Sequence, residues 1–173
     1  MIAKSDPRPI FLVGFMASGK STVGPLLAAR LGIPFIDLDQ QIEAKTGSII
    51  ADIIARQGED SFRLIETERL REALLEAPVV IAPGGGAITR PENRELMAKA
   101  GITIWIDAPF QLCWERIGQD TVVRPLAIDE PSARARYEQR LPLYRQSRLR
   151  VPVEAVTTPE DITDRIIEAL AGL

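Results

Sequence analysis

Short apolar runs alternate along the chain with longer amphipathic stretches, and this alternation predicts strands and helices in turn. Such continuous apolar runs are typical of parallel strands that are buried on both faces. The predicted strands are residues 10–13, 35–38, 79–82, 102–106 and 151–153. The predicted helices are residues 20–31, 42–57 with a break near Gly47-Ser48, 59–76, 89–100, 109–117, a stretch after 131 that ends near Leu149, and a last helix from 159. We therefore expect an α/β fold with a parallel sheet between helical layers.

Several helix ends carry recognisable capping signals. Gly32 is placed to end the first helix, because glycine adopts a left-handed conformation at little cost. Thr89 and Glu92 have the spacing of a capping box, which predicts a helix start at that point. Thr158 followed by Pro159 predicts the start of the last helix.

One segment lacks a helical or strand pattern. Residues 118–131 contain Gly118, Pro125 and Pro131 with few periodic apolar positions, which predicts a mobile loop. No internal repeat, linker or low-complexity tract divides the chain. We expect one domain over residues 1–173 that carries this loop as a lid.

Composition and charge narrow the class of partner. The net charge of −3 gives no general attraction to nucleic acid or to an anionic membrane, and no apolar run approaches membrane-spanning length. Cys113 is the only cysteine, which excludes an internal disulfide and favours a reducing cytoplasm. The chain has no histidine, so a general base must be a carboxylate. Of the 21 basic residues 17 are arginines, whose planar fork suits phosphate and carboxylate groups of a small anionic substrate.

The strongest motif follows the first predicted strand. Gly14-x-x-x-x-Gly19-Lys20-Ser21 matches the phosphate-binding loop of P-loop proteins and leads into a predicted helix. Its backbone N–H groups can surround a phosphate, while Lys20 reaches the β- and γ-phosphates and Ser21 can bind Mg²⁺. The only asparagine is Asn93, so the Asn-Lys-x-Asp guanine signature is absent and a GTPase is excluded.

Two carboxylates and a glycine run follow the next two predicted strands. Alternation along a strand predicts that Asp37 and Asp39 share one face, at the carboxyl edge where ligands bind in open α/β sheets. This pair can orient and deprotonate an alcohol, although Asp39 could instead cap the following helix. Gly84-Gly85-Gly86 can expose backbone amides to a ligand, or form a plain flexible turn.

Three separated arginines complete the pattern: Arg63, Arg124 and Arg140. A single arginine is usually a surface charge, but three of them with the aspartate pair and the glycine run suit an anionic acceptor. Arg124 lies in the predicted lid, where it can deliver a cation when both substrates are bound.

Together these motifs resemble shikimate kinase, from about Ile10 to the last helix. The motifs are the phosphate loop, Asp37-x-Asp39, Phe62-Arg63, Gly84-Gly85-Gly86, Val123-Arg124-Pro125-Leu126 and Arg140-x-Pro142-Leu143-Tyr144-Arg145. The resemblance implies a nucleoside-monophosphate-kinase-like fold with five parallel strands in the order 2-3-1-4-5. It also implies transfer of the ATP γ-phosphate to the 3-hydroxyl of shikimate, with Mg²⁺, in aromatic amino-acid biosynthesis. We expect a cytoplasmic monomer that binds ATP and shikimate, without nucleic acid or membrane.

The resemblance also assigns roles to residues. The catalytic residues it implies are Lys20, Asp39 and Arg124. Those implied to bind ATP are Gly14, Ala17, Ser18, Gly19, Lys20, Ser21, Thr22, Arg116, Arg124 and Pro159. Those implied to bind the acceptor are Asp39, Arg63, Gly84, Gly85, Gly86 and Arg140, and Ser21 and Asp37 are implied to support the metal. Whether Asp37 or Asp39 accepts the proton stays open.

Two alternatives to this interpretation share some of these features. A kinase for gluconate or a nucleoside monophosphate would share the phosphate loop, but would not require the aspartate pair, the triple glycine and Arg140 together. A ligand-sensing domain without catalysis should have lost Lys20, Asp39 or Arg124, and all three are present.

Overall fold

A computed structural model describes residues 8–119 and 129–173. Its five strands are β1 (Ile10–Val13), β2 (Phe35–Asp37), β3 (Val80–Ala82), β4 (Ile102–Asp107) and β5 (Leu149–Pro152). All neighbouring pairs are parallel, and the order β2-β3-β1-β4-β5 is the one predicted. The helices of the described residues are α1 (Lys20–Leu31), α2 (Leu38–Thr46), α3 (Ile50–Gln57), α4 (Glu59–Ala73), α5 (Pro91–Ala100), α6 (Phe110–Gln119), α7 (Glu130–Tyr144) and α8 (Pro159–Ala171).

The core is built on the central strands. Every residue of β1 and β3 is buried, and successive side chains of a strand point to opposite faces, so both faces of the sheet are covered. A second, smaller apolar cluster lies apart from this core and joins α2, α3 and α4 through Ile42, Ile53 and Phe62. The site described below lies where these helices meet the sheet.

Strand register brings three loops to one edge of the sheet. Val80 of β3 is paired with Ile10 of β1 and with Phe35 of β2. β2 and β3 therefore end level at Asp37 and Ala82, and β1 runs one residue further, to Val13. The segments that follow them carry the phosphate loop, the aspartate pair and the triple glycine, as the sequence predicted.

Some predicted boundaries were wrong, because local contacts and strand pairing override the sequence pattern. The second helix begins at Leu38 rather than at residue 42. The fifth helix is capped at Arg90 without a side-chain hydrogen bond, since the Thr89 hydroxyl donates to the Gly86 carbonyl (2.7 Å), so the predicted capping box does not form. The seventh helix ends at Tyr144, because Leu149 already pairs with β4.

Other predictions were confirmed. Gly32 ends α1 with a φ of 69°, and Thr158 caps α8 in a reciprocal capping box with Asp161. Most of the predicted lid lies outside the described residues, but its ends are helical: Gly118 belongs to α6 and Glu130 begins α7. Among the residues described, no helix is both long enough and apolar enough to cross a membrane.

Candidate active site

A cavity of about 930 Å³ opens at the carboxyl edge of β1, β2 and β3. Its position is the one expected for a ligand site in an open parallel sheet. The predicted site residues that line it are Ala17, Gly19, Lys20, Ser21, Thr22, Asp37, Asp39, Arg63, Gly84, Gly85, Gly86, Arg116, Arg140 and Pro159. Gly14 and Ser18 are not lining residues but shape the phosphate loop, and Arg124 lies outside the described residues.

The phosphate loop has the backbone of an anion-binding nest. Gly14, Ala17 and Gly19 have φ angles of 155°, 57° and 112°, which turn successive peptide groups in different directions. Ala17 is the one non-glycine residue with positive φ among the described residues. The loop leads directly into α1 at Lys20, so the positive end of the helix dipole points at the same space.

Lys20 is the cation of this loop. Its side chain is largely buried, and Nζ donates to the Gly14 and Phe15 carbonyls at 2.8 Å each. These contacts hold the ammonium group at the loop rather than in solvent. The charge can therefore interact with a bound phosphate at a short distance and in a low dielectric.

Ser21 and Asp37 form an oxygen pair beside the loop. The Ser21 hydroxyl donates to Asp37 Oδ2 at 2.6 Å, and Asp37 Oδ1 accepts from the backbone N–H of Gln40 at 3.2 Å. Hard oxygen groups of this kind fit Mg²⁺, which uses one or two protein ligands together with phosphates and water. No group of three potential metal-binding side chains occurs in the described ranges, and Mg²⁺ held largely by nucleotide does not need one.

The two aspartates meet at the cavity by a different route from the one predicted. The strand ends at Asp37, whose side chain caps α2, and Asp39 belongs to the first turn of that helix. Strand alternation therefore does not explain their common orientation. The cap and the first helical turn do, and the alternative that Asp39 itself caps the helix was wrong.

Asp39 sits in an environment that favours its protonated form. Burial, with a smaller effect from the charge of Asp37, raises the pKa of Asp39 to about 6, while Lys20 and Arg63 oppose the rise. Its Oδ1 has no hydrogen-bond partner within the described part of the chain. A carboxylate with a raised pKa and a free oxygen can accept a proton from a bound alcohol.

Glu66 is a buried site residue that the sequence interpretation missed. Burial raises the pKa of Glu66 to about 7, although its Oε2 accepts from Arg63 Nη1 at 2.9 Å. Its Oε1 has no partner in the described segments. Its spacing from Arg63 was the available signal, because residues three apart on a helix are neighbours.

Arg63 is fixed by two carboxylates. Its guanidinium donates to Glu66 and, through Nη2, to Glu59 Oε1 at 3.0 Å, and the side chain is buried. A guanidinium that is already oriented loses less conformational freedom when it binds an anion. Arg63 therefore presents a preorganised cation to the cavity.

Arg140 is a second buried cation at the same end of the cavity. Only 3% of the residue is exposed, and its Cζ lies 5.9 Å from the centre of the Phe15 ring. Burial, together with the nearby charges of Arg63 and Arg136, lowers the pKa of Arg140 from its ordinary value, while Tyr144 opposes this change. Like charges brought this close favour an anion between them.

The triple glycine leaves little room for side chains, because a Cβ at each of its positions would crowd another part of the site. A Cβ at Gly84 would lie 2.8 Å from Asp39 Oδ1, and one at Gly85 would lie 3.3 Å from the backbone nitrogen of Met16. A Cβ at Gly86 would overlap the Arg63 guanidinium. The run is thus a close-packed junction rather than a flexible turn.

The cavity is also lined by Arg116, Thr157 and Pro159. Arg116 Nη1 donates to the Ala17 carbonyl at 3.2 Å, which ties α6 to the phosphate loop. A planar guanidinium and a proline ring offer flat surfaces to a base. Thr157 was not predicted from the sequence and is detectable only from its position before the cap of α8.

A phosphate loop beside a buried carboxylate and two buried arginines defines a P-loop kinase that acts on a small anionic acceptor. Comparison with known proteins makes the assignment narrower. The model of the shikimate kinase family matches residues 16–171, and this chain belongs to that family. The family catalyses ATP-dependent phosphorylation of shikimate in aromatic biosynthesis.

Individual relatives agree over almost the whole chain. A shikimate kinase of Nostoc punctiforme is 42% identical over 167 residues, which cover 95% of this chain and 91% of the relative. The solved structure of shikimate kinase from Acinetobacter baumannii in complex with shikimate is 36% identical, with a TM-score of 0.88, and the match covers 95% of this chain and 93% of that one. Shikimate kinase from Aquifex aeolicus is 35% identical, with a TM-score of 0.80, over 95% of this chain and 96% of that one.

Proposed function

We propose that this chain transfers the γ-phosphoryl group of ATP to the 3-hydroxyl of shikimate and releases ADP and shikimate 3-phosphate. The observation that carries the proposal is the convergence of Lys20, Asp39 and Arg63 on one cavity. A phosphate-binding cation, a base and a carboxylate-binding cation are the groups that the two substrates require.

On the donor side, the phosphate loop from Gly14 to Thr22 holds the triphosphate through its backbone N–H groups and Lys20. Arg116 and Pro159, which also line the cavity, enclose the adenine. Mg²⁺ would supply positive charge that neutralises the phosphates at this site. Ser21 would hold it directly and Asp37 through water.

On the acceptor side, Arg63 and Arg140 bind the carboxylate of shikimate, with the amides of Gly85 and Gly86 beside it. Asp39 holds the ring hydroxyls and accepts the proton from the attacking oxygen. Asp39 suits this role better than Asp37, because both oxygens of Asp37 already accept hydrogen bonds. Lys20 and, from the lid, Arg124 stabilise the charge on the transferred group.

We propose further that the chain acts as a single-domain cytoplasmic monomer. A buried Cys113 as the sole cysteine supports a reducing compartment. All groups assigned to the two substrates come from one chain, so a monomer suffices for the reaction.

An acceptor panel tests the proposed function. Purified protein with ATP and Mg²⁺ is expected to form ADP when shikimate is present, and to form none with gluconate, a nucleoside monophosphate or no acceptor. A coupled ADP assay measures this. Equal turnover with gluconate or a nucleotide, or no turnover with shikimate, would overturn the proposal.

The triple glycine gives a second test. Gly86→Ala is expected to raise the KM for shikimate about tenfold or more, because the new Cβ displaces a buried guanidinium from the carboxylate site. The KM for ATP should stay within about twofold, since the nucleotide side is untouched. Gly118→Ala is the matched control, because nothing lies within 4 Å of its added Cβ. An unchanged KM for shikimate in Gly86→Ala would remove Arg63 from the carboxylate site.

A further inference from the structure

Tyr144 belongs to one of the sequence motifs but has no role in the function proposed so far. It is the last residue of α7, one helical turn after Arg140. Only 1% of the residue is exposed, and its ring stacks on Trp105 with a centroid distance of 6.1 Å and an interplanar angle of 18°. A buried tyrosine needs a partner for its hydroxyl, and the partner chosen here lies in the active site.

The Tyr144 hydroxyl donates to the carbonyl of Gly85 at 2.5 Å. In a trans peptide the N–H of the next residue points away from that carbonyl, so this bond fixes the direction of the Gly86 N–H. Neither the Gly85 N–H nor the Gly86 N–H donates to another group in the described ranges. Both glycines line the cavity, so their N–H groups are available to an anion there.

Arg140 lies next to the same tyrosine. The two residues are four apart on α7, so their side chains lie on one side of the helix. The phenol has one proton, which it gives to Gly85, so its oxygen can still accept from a neighbouring donor. Burial raises the pKa of Tyr144 well above its usual value, with the nearby charge of Arg140 opposing the rise, and this keeps the phenol neutral and able to donate. The hydroxyl therefore holds the Gly85–Gly86 peptide and lies beside Arg140, and the proposed function assigns both groups to the acceptor carboxylate.

We propose that Tyr144 is a positioning residue for the acceptor: its hydroxyl orients the Gly85–Gly86 peptide and the Arg140 guanidinium toward the carboxylate of the substrate. This inference rests on the proposed function. It extends that function to a residue that contacts neither the phosphates nor the reacting hydroxyl, and it predicts an effect confined to carboxylate recognition.

The simpler interpretation is that Tyr144 only fills the core. A second tyrosine of α7 separates the two interpretations, since Tyr137 also donates to a backbone carbonyl, that of Ala108, at 3.1 Å. Ala108 does not line the cavity. Removing either hydroxyl deletes one such hydrogen bond, but only the Tyr144 bond leads to the acceptor.

The test compares Tyr144→Phe with Tyr137→Phe in steady-state kinetics. Tyr144→Phe is expected to raise the KM for shikimate roughly tenfold, with the KM for ATP unchanged, whereas Tyr137→Phe leaves both values unchanged. Partial unfolding would raise the KM for both substrates together, so a rise confined to shikimate cannot come from a loss of stability alone. An unchanged shikimate KM in Tyr144→Phe, or equal effects of the two variants, overturns the inference.

A second measurement asks whether the effect acts through the carboxylate. With an analogue of shikimate in which a hydroxymethyl group replaces the carboxylate, wild type and Tyr144→Phe are expected to have the same KM, because the group that Tyr144 positions for is gone. A tenfold difference that persists with the analogue contradicts the positioning role.

If wild type fails to phosphorylate shikimate, the proposed function fails first. If it succeeds and Tyr144→Phe behaves like wild type, only this inference fails.

Discussion

Replacing Asp39 with Asn is expected to lower kcat by about 10²- to 10⁴-fold, the usual contribution of a general base. The amide keeps the shape of the carboxylate but cannot accept a proton from the alcohol. The substitution also relieves a buried group whose pKa is raised, so it should not unfold the protein. The measurement is ADP release at saturating shikimate and ATP, with the KM for ATP expected to change little.

The pH profile sharpens this prediction. A base acts in its deprotonated form, so kcat/KM of the wild type should fall as the pH drops through about 6, where Asp39 becomes protonated. The Asp39→Asn variant should lack the part of this acid limb that comes from Asp39, whereas any loss near pH 7 that comes from Glu66 should remain. Glu43→Gln is the matched control: it also removes a cavity carboxylate, but keeps the oxygen that accepts from the Ile50 N–H. A similar loss of kcat in both variants would argue for a general effect of cavity charge instead of proton transfer.

Replacing Lys20 with Met is expected to lower kcat by about 10²- to 10³-fold, the effect of removing one preorganised electrostatic contact from a transition state. Methionine has about the same length, so the buried side chain still fills the loop. The substitution removes the positive charge that stabilises the negative charge on the phosphoryl oxygens during transfer to the acceptor. Single-turnover kinetics at saturating ATP measure this step directly.

A surface lysine supplies the comparison for this variant. Lys45 is exposed and pairs with Glu72 at 2.8 Å, so Lys45→Met removes an equal charge at a distance from the loop. We expect its rate to stay within about twofold of wild type, because exposed charges are screened by solvent. Near-normal turnover in Lys20→Met would exclude the lysine from transition-state stabilisation.

The sequence predicted well those features that depend on neighbouring residues. The phosphate loop is one continuous segment, and its glycines, lysine and serine carry their function in their order. The observed strand order also agreed with the one that the resemblance implies, because motifs that follow one another in a fixed order along the chain restrict the topology. Each of these predictions needed only local chemistry or the order of motifs along the chain.

The sequence predicted poorly those features that depend on tertiary contacts. Alternation suggested that Asp37 and Asp39 lie on a strand, but the Asp37 side chain accepts from the Gln40 N–H and starts α2 early. The predicted last turns of α7 were wrong because Leu149 pairs with Ile104 of β4, a contact distant in sequence. The sequence analysis did not single out Glu66, since its burial depends on tertiary contacts such as the packing of Gly84 against its carboxylate.

Under the proposed function, the register between β1 and β3 fixes how far apart the two substrates are held. Gly14 and Gly84 follow adjacent, paired strands that are about 4.8 Å apart, and Gly85 packs so closely on the phosphate loop that an added Cβ would lie 3.3 Å from the backbone nitrogen of Met16. The separation between donor and acceptor is therefore set by hydrogen-bonded backbone rather than by long side chains. Apart from Gly85 and Gly86, the residues proposed to bind the acceptor come from other segments: the start of α2, α4 and α7.

This division has an evolutionary consequence. Substitutions in the acceptor segments can change which alcohol is held, while the nucleotide site and the spacing across the strand pair stay the same. A descendant with a new acceptor would not need to rebuild its phosphate chemistry. The β1–β3 strand pair can thus stay unchanged during evolution while the acceptor specificity changes.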